Sequence, residues 1–249
     1  MAKNMVKKIT AKDKDHLKQL IEEVKLNGVN CNLNHIDVSG VLDMSSLFYE
    51  SAFNGDISQW DTSRVVNMLG MLQSSVFNGD ISAWDVPKVQ SMGFMFGCSK
   101  FNQNISKWDV SGVTNMEFMF SKSVFNQCIS EWNLSGVTNM NYMFVGSKFN
   151  QDISKWDVSH VRNMDYLFYS AEFNQDIADW KPRVLEDRLE MFNLSFLEKY
   201  GKLPYWVDVS MWFMDQAINA HELQKNLSKN LNLEHISRKD STIKSIIKI

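Results

Sequence analysis

The sequence predicts an α/β repeat solenoid whose 24-residue coils each hold one short strand and one short helix. Three observations carry that prediction. First, residues recur in columns at a period of 24: Phe53, Phe77, Phe101, Phe125, Phe149 and Phe173, and likewise Trp60, Trp84, Trp108, Trp132, Trp156 and Trp180. Ile57, Ile81, Ile105, Ile129, Ile153 and Ile177 form a third column, and Val65 and Met68 each open a further column of five. Second, no insertion interrupts any column, so each unit occupies one coil and like residues stack. Third, the pattern within a unit changes between two turn signals. "ISKWDVS" reads as a short strand in which Trp108 and Val110 alternate, although Ile105 and Trp108 stand three apart. "VTNMEFMF" then places Val113, Met116, Met119 and Phe120 at helical spacing, and "FNQN" and "SGV" supply the turn chemistry between the two.

The array extends beyond its obvious copies. A period earlier, Val29, Leu33 and Ile36 take the Phe, Ile and Trp positions, followed by Val41, Met44, Leu47 and Phe48. Residues 28–51 therefore read as a first, atypical coil, because a terminal coil has one face without a neighbour. At the far end Leu185, Met191 and Phe192 stay in column while Arg188 replaces a Met, so the solenoid is placed at 28–192. The remaining 193–249 carries no repeat. Within it "DVSMWFMDQAINAHELQKNL" (208–227) reads as an amphipathic helix, and the segment as a helical C-terminal cap or small module.

A coil of one strand and one helix at this length follows the leucine-rich-repeat plan. The unit "FNxDISxWDVSxVxNMxxMF" also resembles the BspA-like repeat of bacterial and protozoan surface proteins, including the mycoplasma lipoprotein type. The resemblance covers roughly residues 10–192. It implies a right-handed solenoid of the leucine-rich-repeat group that binds macromolecules. The stretch beginning "KDKDHLKQLIEEV" resembles the helical cap that introduces such arrays, which implies a helical N-terminal cap over 1–27.

Composition narrows the function. Lys and Arg against Asp and Glu number 7 and 7 over residues 1–52, 8 and 13 over 53–180, and 11 and 9 over 181–249. No basic region points to nucleic acid, and no stretch approaches the ~18 apolar residues of a membrane span. Cys31, Cys98 and Cys128 are odd in number and lack CxxC spacing, so they predict free thiols rather than a disulfide framework. The charged N-terminus lacks the apolar core of a signal peptide, and no lipobox or wall anchor is present. The expected location is the cytoplasm where the chain is synthesised, with host cytosol or cell surface reached only by a non-standard route. His16, His35, His160, His221 and His235 share no spacing, and "HELQKN" lacks the second His of HExxH. No enzymatic activity, cofactor or metal site is expected.

Several columns imitate sites. Asn54, Asn78, Asn102, Asn126, Asn150 and Asn174 are expected to form an amide ladder that satisfies backbone groups of neighbouring coils. Asp37, Asp61, Asp85, Asp109, Asn133 and Asp157 precede a turn and are expected to cap backbone amides, a role in which Asn133 substitutes without loss. The Trp and Met columns read as packed core.

Binding is expected where the repeat stops constraining the residue. One such column, between Ile and Trp, reads Gln59, Ala83, Lys107, Glu131, Lys155 and Asp179; Lys107, Glu131 and Lys155 are its candidate partner-binding residues. The other reads Gly70, Phe94, Phe118, Tyr142 and Tyr166, two residues after the first Met of each expected helix. A helical residue at i+2 lies about 200° round from the inward Met, so these four aromatics should form an outward ridge. Two readings of the ridge stand at this point: a partner site, or a surface covered by the tail or a loop. The function expected is a non-enzymatic protein-binding solenoid, an intracellular inhibitor or adaptor of unspecified oligomeric state. The alternative is a bacterial surface or secreted adhesin or effector of the BspA-like type.

Overall fold

The structure, a computed structural model, describes residues 8–26, 28–182 and Met191. The chain divides into two compact units, Met1–Val207 and Asp208–Ile249, and every described residue lies in the first. The expected C-terminal cap at 193–249, with its helix at 208–227, lies outside the described residues. So do Leu185, Arg188 and Phe192.

The chain enters through three short elements: β1 (Ile9–Thr10), α1 (Lys14–Lys25) and β2 (Ile36–Asp37). α1 falls within the segment expected to be helical. Asp13 caps its N-terminus by accepting the His16 N–H at 2.8 Å, and Lys25 stands in the last turn, where a cation suits the helix dipole. Leu17, Leu20 and Ile21 form its buried face, at the i, i+3, i+4 spacing of an amphipathic helix. β1 runs parallel to β2 with Ile9 opposite Ile36, and the Ala11 N–H donates to Asp37 O at 2.9 Å. These contacts fasten the entry segment to the first repeat, whose Leu33, Ile36, Val41, Met44, Leu47 and Phe48 join the same apolar core. Val29 departs from its column. It stands where later repeats bury a Phe, yet it is 45% exposed, because no repeat precedes it.

From there the repeats stack with like positions adjacent. Single-residue parallel bridges link Asp43, Asn67, Ser91, Asn115, Asn139 and Asn163 in succession, each 24 residues from the last. The N–H groups of Met116, Phe118, Phe120 and Lys122 donate to the carbonyls of Asn139, Asn141, Met143 and Val145 at 2.7–2.9 Å. The residues between them bond locally instead: Met119, Ser121 and Ser123 donate to the carbonyls three residues earlier at 3.1–3.2 Å. Half the amides thus close turns and half join repeats. Phe168 donates to Met191 O in the same 23-residue offset, and Met191 is 2% exposed, so the pattern continues past the Phe173 unit.

This arrangement corrects the expected helix and strand. "VTNMEFMF" is a row of overlapping turns in which Phe118 and Lys122 take positive φ of 54° and 50°. The i, i+3 spacing of Met116 and Met119, which suggested a helix, comes from a turn closed by the Met119 N–H on Met116 O. "ISKWDVS" is likewise turn rather than strand. The Trp108 N–H donates to Ile105 O at 3.1 Å, which explains why those two residues stand three apart and break the alternation. The recurring β-like contact falls instead at the Asn115 column, with one further bridge, Asn32 to Asp56, in the first repeat. Among the described residues α1 is the only helix.

The interior is a set of aligned side-chain rows. The Phe53-to-Phe173 column is fully buried, with successive rings 6.1–6.4 Å apart and within 6° of parallel. Each Trp of the Trp60-to-Trp180 column is 1–4% exposed. Its indole N–H donates to the carbonyl 27 residues earlier at 3.0–3.2 Å, as Trp132 does to Ile105 O. A Trp face placed this way is core and offers no platform to a ligand. Trp132→Phe keeps most of the apolar contact and removes one of the two donors to the Ile105 carbonyl, which still accepts the Trp108 N–H. Denaturant unfolding should show a loss of about 0.5–1.5 kcal/mol, the net worth of one hydrogen bond.

Candidate functional site

The two expected binding columns are both present as continuous rows, built by different means. Phe94, Phe118, Tyr142 and Tyr166 all sit at the third position of a turn with φ between 54° and 58°. Their rings stack in order at 4.5, 4.4 and 4.7 Å, within 14° of parallel, and Tyr169 meets Tyr166 edge-on at 5.6 Å. All four are half-buried. The sequence reading placed them outward by helical geometry. The ridge exists, but its cause is a left-handed backbone residue that turns each side chain away from the core between buried Met116 and Met119 or their equivalents. Stacking covers the ring faces, so the ladder presents ring edges.

Positive φ is unfavourable for a residue with a Cβ, by about 1–2 kcal/mol. The same column holds Ser46 at φ 53° and Gly70 at φ 61°, so an aromatic ring is not needed to make this turn. Rings occupy four consecutive repeats in spite of that backbone cost. Leu42, Val66 and Leu69 are also 37–47% exposed, and Leu69 reaches Gly93, the residue before Phe94. The sequence reading missed these three. The signal that could have revealed the turn was Gly70, a glycine in a column of large residues, together with Gly146 (φ 61°) in the column of Lys122.

Lys107, Glu131 and Lys155 are exposed, as are Gln59, Ala83 and Asp179 of their column. Glu131 and Lys155 approach to 3.9 Å across adjacent repeats, with about three-quarters of each side chain in solvent. A pair so exposed contributes little to stability. Lys107 lines a shallow groove of about 290 Å³ with Asp80, Ser82, Gln103 and Asn104.

The polar columns are occupied by the backbone. Asn54, Asn78, Asn102, Asn126 and Asn150 each accept the N–H of the next rung through Oδ1 at 2.7–2.9 Å, which is the expected ladder. Asp61, Asp109, Asn133 and Asp157 each accept the N–H of the serine two residues on at 3.0–3.1 Å. Asp85 departs from this because Pro87 stands two residues later and has no N–H. Two further columns do the same, as Asp56 to Ser58 and Asn115 to Glu117 show. The serine hydroxyl, then the serine N–H, holds the carboxyls of Asp61, Asp109 and Asp157 below the usual 3.8; for Asp56, Asp80 and Asp152 the N–H comes first. Among the described residues no group of three His, Cys, Asp or Glu is placed to hold a metal ion. The three cysteines are unpaired, with Cys98 and Cys128 exposed.

Two outcomes test this geometry. Phe118→Ala loses both ring contacts and keeps the strained backbone, whereas Phe118→Gly also loses the rings but relaxes it. Thermal unfolding should rank wild type above Phe118→Gly and Phe118→Gly above Phe118→Ala, reversing the usual glycine penalty of about 0.5–1 kcal/mol. The second concerns pH. Because the folded carboxyls are depressed, their contribution is complete above the unfolded value of 3.8 and is lost as pH falls below it through the folded values. Melting temperature should fall across that window, and Asp109→Asn should remove its share of the fall while keeping the turn, as Asn133 does.

A family model described as "Mycoplasma protein of unknown function, DUF285" matches residues 15–126, 97–206 and 120–237. The matches overlap, as expected of a unit that recurs many times along the chain. No curated protein and no solved structure matches. With matches that together run from residue 15 to 237, the chain belongs to this mycoplasma-type repeat family, DUF285.

Proposed function

We propose that this protein is a non-enzymatic binding scaffold, a solenoid whose coils are made of turns and whose outer rows dock another protein as an inhibitor or adaptor would. The observation that carries the reading is the ladder Phe94–Phe118–Tyr142–Tyr166. These are large, half-buried rings kept at a left-handed position where Ser46 and Gly70 serve the backbone equally well. Aromatic side chains with one edge in solvent are favoured anchors for protein partners, since they bury much area and lose little rotamer freedom. The exposed column of Lys107, Glu131 and Lys155 changes charge from repeat to repeat and supplies the specificity that an apolar ladder lacks. Support for a non-enzymatic role comes from the carboxylates, since the repeated ones are engaged by the N–H groups of their own turns. Among the described residues no helix is long and apolar enough to cross a membrane, and membrane anchoring is not part of the proposal.

Phe118→Asn combined with Tyr142→Asn removes two adjacent rings while placing a residue that tolerates positive φ. Partners crosslinked to the wild-type chain in the cells that produce it should be lost from this variant, with its cooperative unfolding retained. A folded variant that keeps every wild-type partner would overturn the ladder as the binding surface.

A further inference from the structure

The asparagine ladder has two kinds of rung. Asn102, Asn126, Asn150 and Asn174 are each followed by Gln, whereas Asn54 and Asn78 are followed by Gly55 and Gly79. Both Asn54 and Asn78 are exposed. Their Oδ1 atoms accept the N–H of the next rung at 2.7 and 2.8 Å. A donor so close to a carbonyl oxygen draws electron density from its carbon and stabilises negative charge arriving on that oxygen. The neighbouring nucleophile is unencumbered: among the described residues neither Gly55 N–H nor Gly79 N–H makes a hydrogen bond. With no side chain on the glycine, nothing on that residue opposes closure of a five-membered ring. At the other rungs the Gln carries a Cβ that crowds this closure, and Gln127, Gln151 and Gln175 hold their amides on the Oδ1 of the preceding rung at 3.1–3.2 Å.

We propose that Asn54 and Asn78 are modification sites at which the folded protein undergoes intramolecular deamidation, and that the remaining rungs are protected. The Gly55 nitrogen loses its proton to water or hydroxide and bonds to Cγ of Asn54, and the Cγ–Nδ2 bond breaks as ammonia leaves with a proton from solvent. Water then opens the cyclic imide at either carbonyl, giving Asp or an isoaspartyl linkage, without oxidation or reduction. Asn78 and Gly79 react in the same way. An Asp at the rung still offers an oxygen to the next N–H. An isoaspartyl linkage adds a methylene to the backbone, displacing the 24-residue register at the N-terminal end of the stack. Replacing Gly55 would not isolate the effect, because a Cβ there would lie 1.9 Å from Cys31 O. Gly79 is open to the exchange: its Cβ would press mainly on the Phe77 ring at 2.8 Å, and the next repeat carries Gln103 after Phe101 at the same place.

The test is peptide mass mapping of the intact, folded chain held in mildly alkaline buffer, with isoaspartyl products separated by chromatography. Acid and isoaspartyl forms should accumulate at Asn54 and Asn78 and not at the four Asn–Gln rungs. Gly79→Gln should slow the change at Asn78 by about tenfold or more, a barrier increase of ~1.4 kcal/mol or above, and leave Asn54 unaltered. Equal conversion at all six rungs would overturn the proposal. So would conversion seen only in urea, since the native ladder would then protect rather than promote.

Discussion

Every second backbone N–H between Met116 and Lys122 leaves its own repeat and reaches a carbonyl of the next, and the same offset recurs from Met44 to Phe168. The rest of the molecule depends on this constraint. Sideways bonds of fixed offset hold one residue of each repeat against its equivalent in the next, so like side chains lie one above another, and contacts between rows such as Phe96 on Phe101 at 4.3 Å join the rows into one core. Phe therefore meets Phe at 6.1–6.4 Å and Trp meets Trp at 6.2–6.4 Å. A single inserted residue would shift every row beyond it, which is why the columns run from Phe53 to Trp180 without a gap.

A stack built from turns leaves many amides that neither a helix nor a sheet ladder satisfies, and the polar columns answer that need. The Asn rungs take one N–H per repeat, the aspartates and asparagines before turns take up to three more, and the indole N–H finds its own acceptor in a turn carbonyl of the preceding repeat. Unpaired backbone groups of this kind are expensive to bury, so short polar side chains are as much part of the fold as the aromatic core. Clusters of Asn and Asp that look like a ligand site are consumed by the backbone. The row that turns outward is half-buried and the row between Ile and Trp is exposed.

The turning row shows how local conformation and surface chemistry are joined. Positive φ at Phe94, Phe118, Tyr142 and Tyr166 points four rings away from the core, and ring-on-ring contact offsets part of the backbone strain. Removing a ring disturbs both its neighbours, so the ladder is more rigid than any one aromatic on a loop would be. Rigidity of that kind lowers the entropy cost of docking.

The sequence by itself determined the period, the membership of each column and which columns are core, because a 24-residue repetition without gaps admits only one alignment of equivalent residues. It also exposed the roles of Asn102 and Asp109, since a group copied in every repeat serves the repeat. It misassigned the local conformation. Spacing of three between Ile105 and Trp108, or between Met116 and Met119, is shared by a helix and by a closed turn, and nothing in the side chains separates the two. That choice was made by tertiary structure: the neighbouring repeats offer carbonyls to alternate N–H groups, and a helix would have turned those groups inward along its own axis. The left-handed state of Phe118 serves the same demand: with Lys122 it turns the chain so that alternate N–H groups bond sideways while Met116, Met119 and Phe120 stay buried.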